Sequence, residues 1–199
     1  MKKLLLLLLT ALAFTFGCFA LASCDSTEEA TPTEGLEYIL NDDDESYSVT
    51  GIGSATDTDI VIASTYEGKP VTAIAAFAFF ECENLTRVTI PDSVTSIGKW
   101  VFEYCTSLTN VTISSSVTSI GGWAFWYCES LSSIIIPNSV TSIDNRAFWY
   151  CESLTSITFQ GTTEQWNAIE KAKEWNFDTG NCTVICTNGK LDKYGIVIA

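Results

Sequence analysis

The stretch from Val117 to Ser139 reads VTSIGGWAFWYCESLSSIIIPNS, and three more stretches carry nearly the same residues. They are VTAIAAFAFFECENLTRVTIPDS from Val71, VTSIGKWVFEYCTSLTNVTISSS from Val94 and VTSIDNRAFWYCESLTSITFQGT from Val140. A fixed period of 23 residues, with Leu and Ile at constant offsets, is the mark of supersecondary units that stack because none buries its apolar face alone. In such a stack each offset becomes a column running along the molecule.

Counted from each opening valine, the fourth place holds Ile74, Ile97, Ile120 and Ile143, the ninth Phe79, Phe102, Phe125 and Phe148, and the fifteenth Leu85, Leu108, Leu131 and Leu154. All three columns are predicted to point inward. The eighth place is small, with Ala78, Val101, Ala124 and Ala147, which predicts a short helical turn lying close on the sheet. Places sixteen to twenty, from Thr86–Ile90 to Thr155–Phe159, alternate β-branched with polar residues. That pattern predicts one short strand per repeat, paired in parallel with its neighbours. Pro91, Ser114, Pro137 and Gln160 stand where each strand stops, as a residue lacking or not needing the ladder hydrogen bond should. The expected fold class is therefore an α/β repeat solenoid with a short-stranded parallel β-sheet and short helical turns, capped at both ends.

The four full repeats occupy residues 71–162, and the flanks differ. Residues 36–70 read as an N-terminal hairpin and a truncated repeat: Leu36–Leu40 and Ser46–Thr50 are strands around the acidic turn Asn41–Glu45. Ser48–Gly53 echoes Ser93–Gly98, with Ile60–Ile62 as the strand of the shortened coil. The acidic turn lacks the alternating ligand spacing and the glycine of a calcium loop. Residues 163–199 read as a C-terminal cap. Thr162 and Gln165 form a capping-box pattern, and Trp166, Ile169 and Ala172 line one side of a helix expected to cover the last coil. Thr183–Cys186 follows as a strand, Asn188-Gly189 as a turn, and Tyr194–Ala199 as a closing strand or a frayed end.

Residues 1–23 read as a lipoprotein signal peptide, with Lys2 and Lys3 ahead of an unbroken apolar run from Leu4. Leu21-Ala22-Ser23-Cys24 resembles the bacterial lipobox, which makes Cys24 the expected lipidation site. Cys18 fits less well because Phe16 precedes it where the motif wants a small residue. The competing reading is an uncleaved anchor, since the apolar run approaches the length of a membrane span. Either places the remainder outside the cytoplasm. Residues 24–35 have no large apolar side chain and read as a flexible tether. All 24 acidic residues follow the leader, so the exported part is more acidic than the net −14 of the whole chain. Such a surface is repelled by phosphate backbones and anionic lipid head groups. Nucleic acid is excluded as a partner on that ground, and the membrane is reached through the N-terminal lipid only.

The chain has no histidine, which removes histidine-activated nucleophiles and imidazole ligation. No catalytic residue, metal ligand or cofactor is assigned, and an enzyme is not expected. Glu83, Glu129 and Glu152 share one offset and read as a solvated row, not as an acid and base pair in contrasting environments. Cys82, Cys105, Cys128 and Cys151 all stand at the twelfth place and are expected to form a ladder of free, buried thiols. Cys182 and Cys186 are left open between a pair and two free thiols.

Aromatic residues concentrate at three places: Phe77, Trp100 and Trp123 at the seventh, Phe80, Trp126 and Trp149 at the tenth, and Tyr104, Tyr127 and Tyr150 at the eleventh. With places eight and nine turned inward, these nine rings are expected to form a continuous outer stripe rimmed by acids, the candidate binding surface. The plainer reading is that neighbouring rings only stack on each other and stabilise successive coils.

The phrase VTSIGxxAFxxCxSLxSIxIPxS, cleanest from Val117 to Ser139, resembles the BspA-type (Treponema pallidum-type) leucine-rich repeat family of bacterial surface proteins. The flanks Ser64–Thr72 and Phe159–Trp166 resemble that family too, and the likeness runs from Leu36 to Gly189. It implies a leucine-rich repeat solenoid and a role in adhesion for some members, without transferring a binding site. The aromatics at places seven, ten and eleven depart from the small or polar residues usual there. The resulting expectation is a cell-surface, lipid-anchored protein that binds an extracellular protein or glycan. A carbohydrate-recognition module for polysaccharide capture and a passive spacer are the alternatives.

Overall fold

The structure, a computed structural model, describes residues 31–198. The leader, Cys18, Cys24 and the first part of the tether lie outside the described residues. No helix among the described residues is long and apolar enough to cross a membrane.

The chain runs through β1 (Glu37–Leu40), β2 (Tyr47–Gly51), β3 (Asp59–Val61), β4 (Thr65–Tyr66), β5 (Lys69–Ile74), β6 (Arg87–Thr89), β7 (Ser96–Ile97) and β8 (Asn110–Thr112). It continues through β9 (Ser119–Ile120), β10 (Ser133–Ile136), β11 (Ser142–Ile143), β12 (Ser156–Phe159), α1 (Thr163–Ala168), β13 (Glu170–Lys171), β14 (Thr183–Cys186), β15 (Gly189–Leu191) and β16 (Val197–Ile198). One sheet stacks β2, β5, β7, β9, β11 and β13 in parallel, and the other stacks β3, β6, β8, β10, β12 and β14 in parallel. The molecule is a β-solenoid of six coils. Each full coil thus has two strands, one more than the sequence reading assigned, because the short Ser-Ile step at places three and four also pairs across coils, as Ser96↔Ser119 and Ile97↔Ile120.

The expected helical turns are absent. Residues at places seven and eleven adopt left-handed backbone angles: φ is 55° at Trp100 and Trp123, 59° at Tyr104 and 61° at Tyr127. A left-handed residue every fourth position cannot continue a right-handed helix. The N–H groups of places seven, nine and eleven turn instead to the next coil. Trp100 donates to the Gly122 carbonyl at 3.0 Å, Phe102 to Ala124 at 2.8 Å and Tyr104 to Trp126 at 2.9 Å. Those three bonds form a further ladder between coils and satisfy donors that a helix would have paired within itself.

The three inward columns lie where the periodicity put them. Phe79, Phe102, Phe125 and Phe148 are fully buried and stack at 5.5, 5.2 and 5.1 Å between ring centroids. The fourth, eighth and fifteenth places are buried throughout, in one contiguous core. Such ring pairs contribute roughly 0.5–1.5 kcal/mol each beyond burial. The recurring threonine at place two has a polar reason. The Thr95 N–H and hydroxyl both donate to the Thr72 carbonyl, at 2.9 and 3.3 Å, and Thr118 and Thr141 repeat this one coil on. At the fifth place the coils approach so closely that a Cβ on Gly121 would fall 2.5 Å from the Gly98 carbonyl carbon.

Both flanks differ from expectation in register. Val49 pairs with Ile74 and Tyr47 with Val71, whereas the Ser48–Gly53 echo aligns Val49 with the opening valines. Burial decides the outcome: Tyr47 and Val49 face the core by ordinary alternation, and the irregularity opposite the Tyr47–Ser48 step, where Thr72 is skipped, lets Val71 and Ile74, three apart, both join them. Thr33, inside the expected tether, donates its N–H to the Val61 carbonyl and accepts from the Val61 N–H, so it lies against the edge of β3. At the other flank the capping box at Thr162 and Gln165 forms, but α1 ends at Ala168. Ile169 and Ala172 are not on it, because Glu170–Lys171 joins β11 and Thr183–Cys186 joins β12. The region read as a cap thus contains a sixth coil, lengthened by α1. Trp166 and Trp175 pack at its core, with Trp175 edge-on to Phe148 at 6.1 Å.

Candidate functional site

The nine aromatics lie at the surface, as two rows instead of one stripe. Phe77, Trp100 and Trp123 stack at 4.9 and 5.1 Å with planes within 11°, and Phe80 meets Phe77 edge-on at 5.9 Å. The second row joins Tyr104, Tyr127 and Tyr150 at 4.9 and 5.1 Å to Trp126 and Trp149, themselves stacked at 5.4 Å. The rows separate because the tenth place carries Glu103 in the third of the six coils, between Phe80 and Trp126, and the seventh carries Arg146 in the fifth. Exposure falls along the first row: Phe77 is 50% and Phe80 38% exposed, while the remaining seven rings are half-buried.

The geometry makes these rows rigid. Left-handed backbone at Phe77, Trp100, Trp123, Tyr104, Tyr127 and Tyr150 aims each side chain outward, and that conformation costs roughly 1–2 kcal/mol per residue for a side chain with a Cβ. Ring stacking and the bonds between coils offset it. Within each row the rings meet largely face to face, so their faces are spent on one another and their edges form the surface. Trp126 and Trp149 also keep buried indole N–H groups without a hydrogen-bond partner among the described residues.

Three members were missed in the sequence. Phe177, 52% exposed, meets Trp149 edge-on at 6.3 Å and extends the second row into the sixth coil. Its place was hidden because that coil is not 23 residues long; the Phe148 N–H bond to Trp175 shows that Phe177 stands at the tenth place. Arg146 lies over the Trp149 ring at 4.3 Å and its Nε donates to Glu174 at 2.7 Å, which fixes a cation on the row. Glu103 is only 6% exposed, and burial with Glu81 nearby pushes its carboxyl above the usual range.

The thiol column forms as the spacing predicts, and all six cysteines from Cys82 to Cys186 are free. Cys105, Cys128 and Cys151 donate to the carbonyls of Phe79, Phe102 and Phe125 at 3.0, 3.1 and 3.0 Å, while Cys82, in the first full repeat, is half-buried. Burial raises the pKa of every one, that of Cys182 to about 11. Glu83, Glu129 and Glu152 are exposed, a solvated row. In the acidic turn, Asp43 accepts from the Glu45 and Ser46 N–H groups and the Ser46 hydroxyl, bonds that lower its pKa. No cluster of three or more potential metal ligands occurs among the described residues.

A stack of two-stranded coils with Leu, Ile and Phe columns and outward aromatics defines a leucine-rich repeat protein. Residues 61–178 match the BspA type leucine rich repeat region in six copies, the number of coils in the structure, and the chain belongs to that family. Among solved structures, a leucine-rich repeat protein from Bacteroides capillosus is 34% identical over 66% of this chain and 98% of that one, with a TM-score of 0.59. One from Bacteroides ovatus is 25% identical over 79% of this chain at a TM-score of 0.57, and the match takes in 37% of its length. The T. pallidum leucine rich repeat protein shares the fold, at 22% identity, 84% of this chain, 91% of that one and a TM-score of 0.51. Among curated proteins none matches the chain.

Proposed function

We propose that this is a non-enzymatic protein displayed outside the cytoplasm, held at the membrane by a lipid on Cys24, which binds an extracellular protein through its two aromatic rows. The observation that carries the reading is the outward, prearranged ring surface. Rings locked by stacking and by left-handed backbone lose little freedom on binding, and aromatic anchors of this kind dominate interface energetics. The leader and its lipobox support the location.

Sugar capture is the weaker reading for a physical reason. A pyranose stacks on an exposed ring face, whereas Trp100, Trp126 and Tyr127 have neighbours against their faces. Phe77, at the end of its row, keeps one face open. The edges and the Arg146–Glu174 pair suit a protein surface better.

The test is a matrix-protein and glycan array probed with the chain from residue 25 onward, alongside a Trp126→Ala/Trp149→Ala variant. Binding to protein features, lost about tenfold or more in the variant, supports the reading. Signal on sugars alone points to the polysaccharide reading. Silence, or binding unchanged while the melting temperature falls, assigns the rings to stability only.

A further inference from the structure

We propose that the two ends of the solenoid dock on each other, so that the N-terminal end of one copy seats on the C-terminal end of a second and copies associate head to tail. The argument starts from the two outermost strands. β1 lies at one end of its sheet and β16 at the opposite end of the other, and among the described residues neither has a strand on its outer side. Unpaired edges of this kind are templates for another chain unless charge or a bulge blunts them. The irregularity between Glu37 and Tyr38 blunts the start of β1, but its Ile39–Leu40 half and β16 carry apolar side chains toward solvent. Ile39 in β1 is 57% exposed, with Leu40 beside it, and Val197 in β16 is 70% exposed, beside Ile196, Ile198 and Tyr194.

Charge selects which end meets which. Residues 31–69 carry nine acidic side chains against one lysine, Lys69, whose ammonium donates to the Asp44 carbonyl; four of the acids form the turn Asp42–Glu45 directly after β1. Residues 163–198 carry four lysines against five acids, close to neutral, and Lys190 and Lys193, with Asp192 between them, flank the apolar side chains of β16. Two N-terminal ends would bring eighteen acids together, and lateral contact is opposed by the overall acidity. The N-terminal end against the C-terminal end joins apolar edge to apolar edge and sets the acidic turn against Lys190 and Lys193, whereas two C-terminal ends would face those lysines with lysines. Because the two surfaces differ, each copy keeps one free end, and the series is open, not closed at a dimer.

Sedimentation velocity from micromolar to millimolar concentration, on the chain from residue 25 onward, tests this independently of ligand binding. Mass should rise with concentration past the dimer. Ile39→Asp blocks one end and Val197→Asp the other, both at exposed positions. Each variant alone should be a monomer, and the two mixed should give a discrete one-to-one dimer. Lys190→Glu/Lys193→Glu, which leaves the apolar contact intact, should weaken association about tenfold or more. The proposal falls if the wild-type chain stays monomeric or stops at a dimer, or if either blocked variant still self-associates with unchanged circular dichroism.

Discussion

At the scale of single residues, the unusual feature is bulky side chains at positive φ. A tryptophan or tyrosine rarely accepts this conformation, yet it recurs at places seven and eleven in coil after coil. At Phe77, with φ of 63°, the energetics invert the usual rule. In a helix Gly is about 1 kcal/mol worse than Ala; in a left-handed position it is better by roughly 1–2 kcal/mol, since only the Cβ is penalised. Phe77→Gly should therefore be more stable than Phe77→Ala by about 1 kcal/mol in urea unfolding. The opposite order would return the segment to a helical turn. Nothing in the residue types signals this, because aromatic residues at left-handed positions follow from the stacking they gain across coils.

At the scale of the element, the thiol column joins each turn to the one before it. A thiol whose pKa is raised from the ordinary 9.0 by burial keeps its proton in the folded chain after the unfolded chain has lost its own. Its contribution is whole below pH 9 and falls as the pH climbs from there toward the folded value. Each such thiol should cost up to about 1.4 kcal/mol per pH unit in that window. Thermal melts between pH 8.5 and 10 should show the decline, and Cys128→Ala should have a shallower one than the wild-type chain. An identical slope in both would mean that Cys128 is ionised or paired in the folded state. The column itself was legible from the 23-residue offset. The acceptors were not, since a carbonyl in the preceding coil becomes a partner only once the stack sets its height.

At the scale of the molecule, a stack in register should tolerate removal of one unit. Deleting residues 117–139 joins Ser116 to Val140, which occupies the same place as Val117. The shortened chain should keep a β-type circular dichroism spectrum and melt cooperatively, at a lower temperature and with an enthalpy about 16 kcal/mol smaller near 60 °C. Loss of cooperative melting would show that the coils are not interchangeable. The phenylalanine ladder makes the prediction strict, because Phe102 must then stack on Phe148 in place of Phe125.

Repetition by itself determined the stack, the inward columns and the outward position of the aromatics, because a fixed period forces equal residues to equal heights whatever the backbone does between them. It did not determine the backbone. Two strands per coil in place of one, left-handed turns in place of helical ones, the division of the rings at Glu103 and Arg146, and the sixth coil around Trp175 were decided by tertiary structure. The physical reason is that each rests on hydrogen bonds and ring contacts between coils, partners separated by about one period along the chain and brought within reach only when the coils pack.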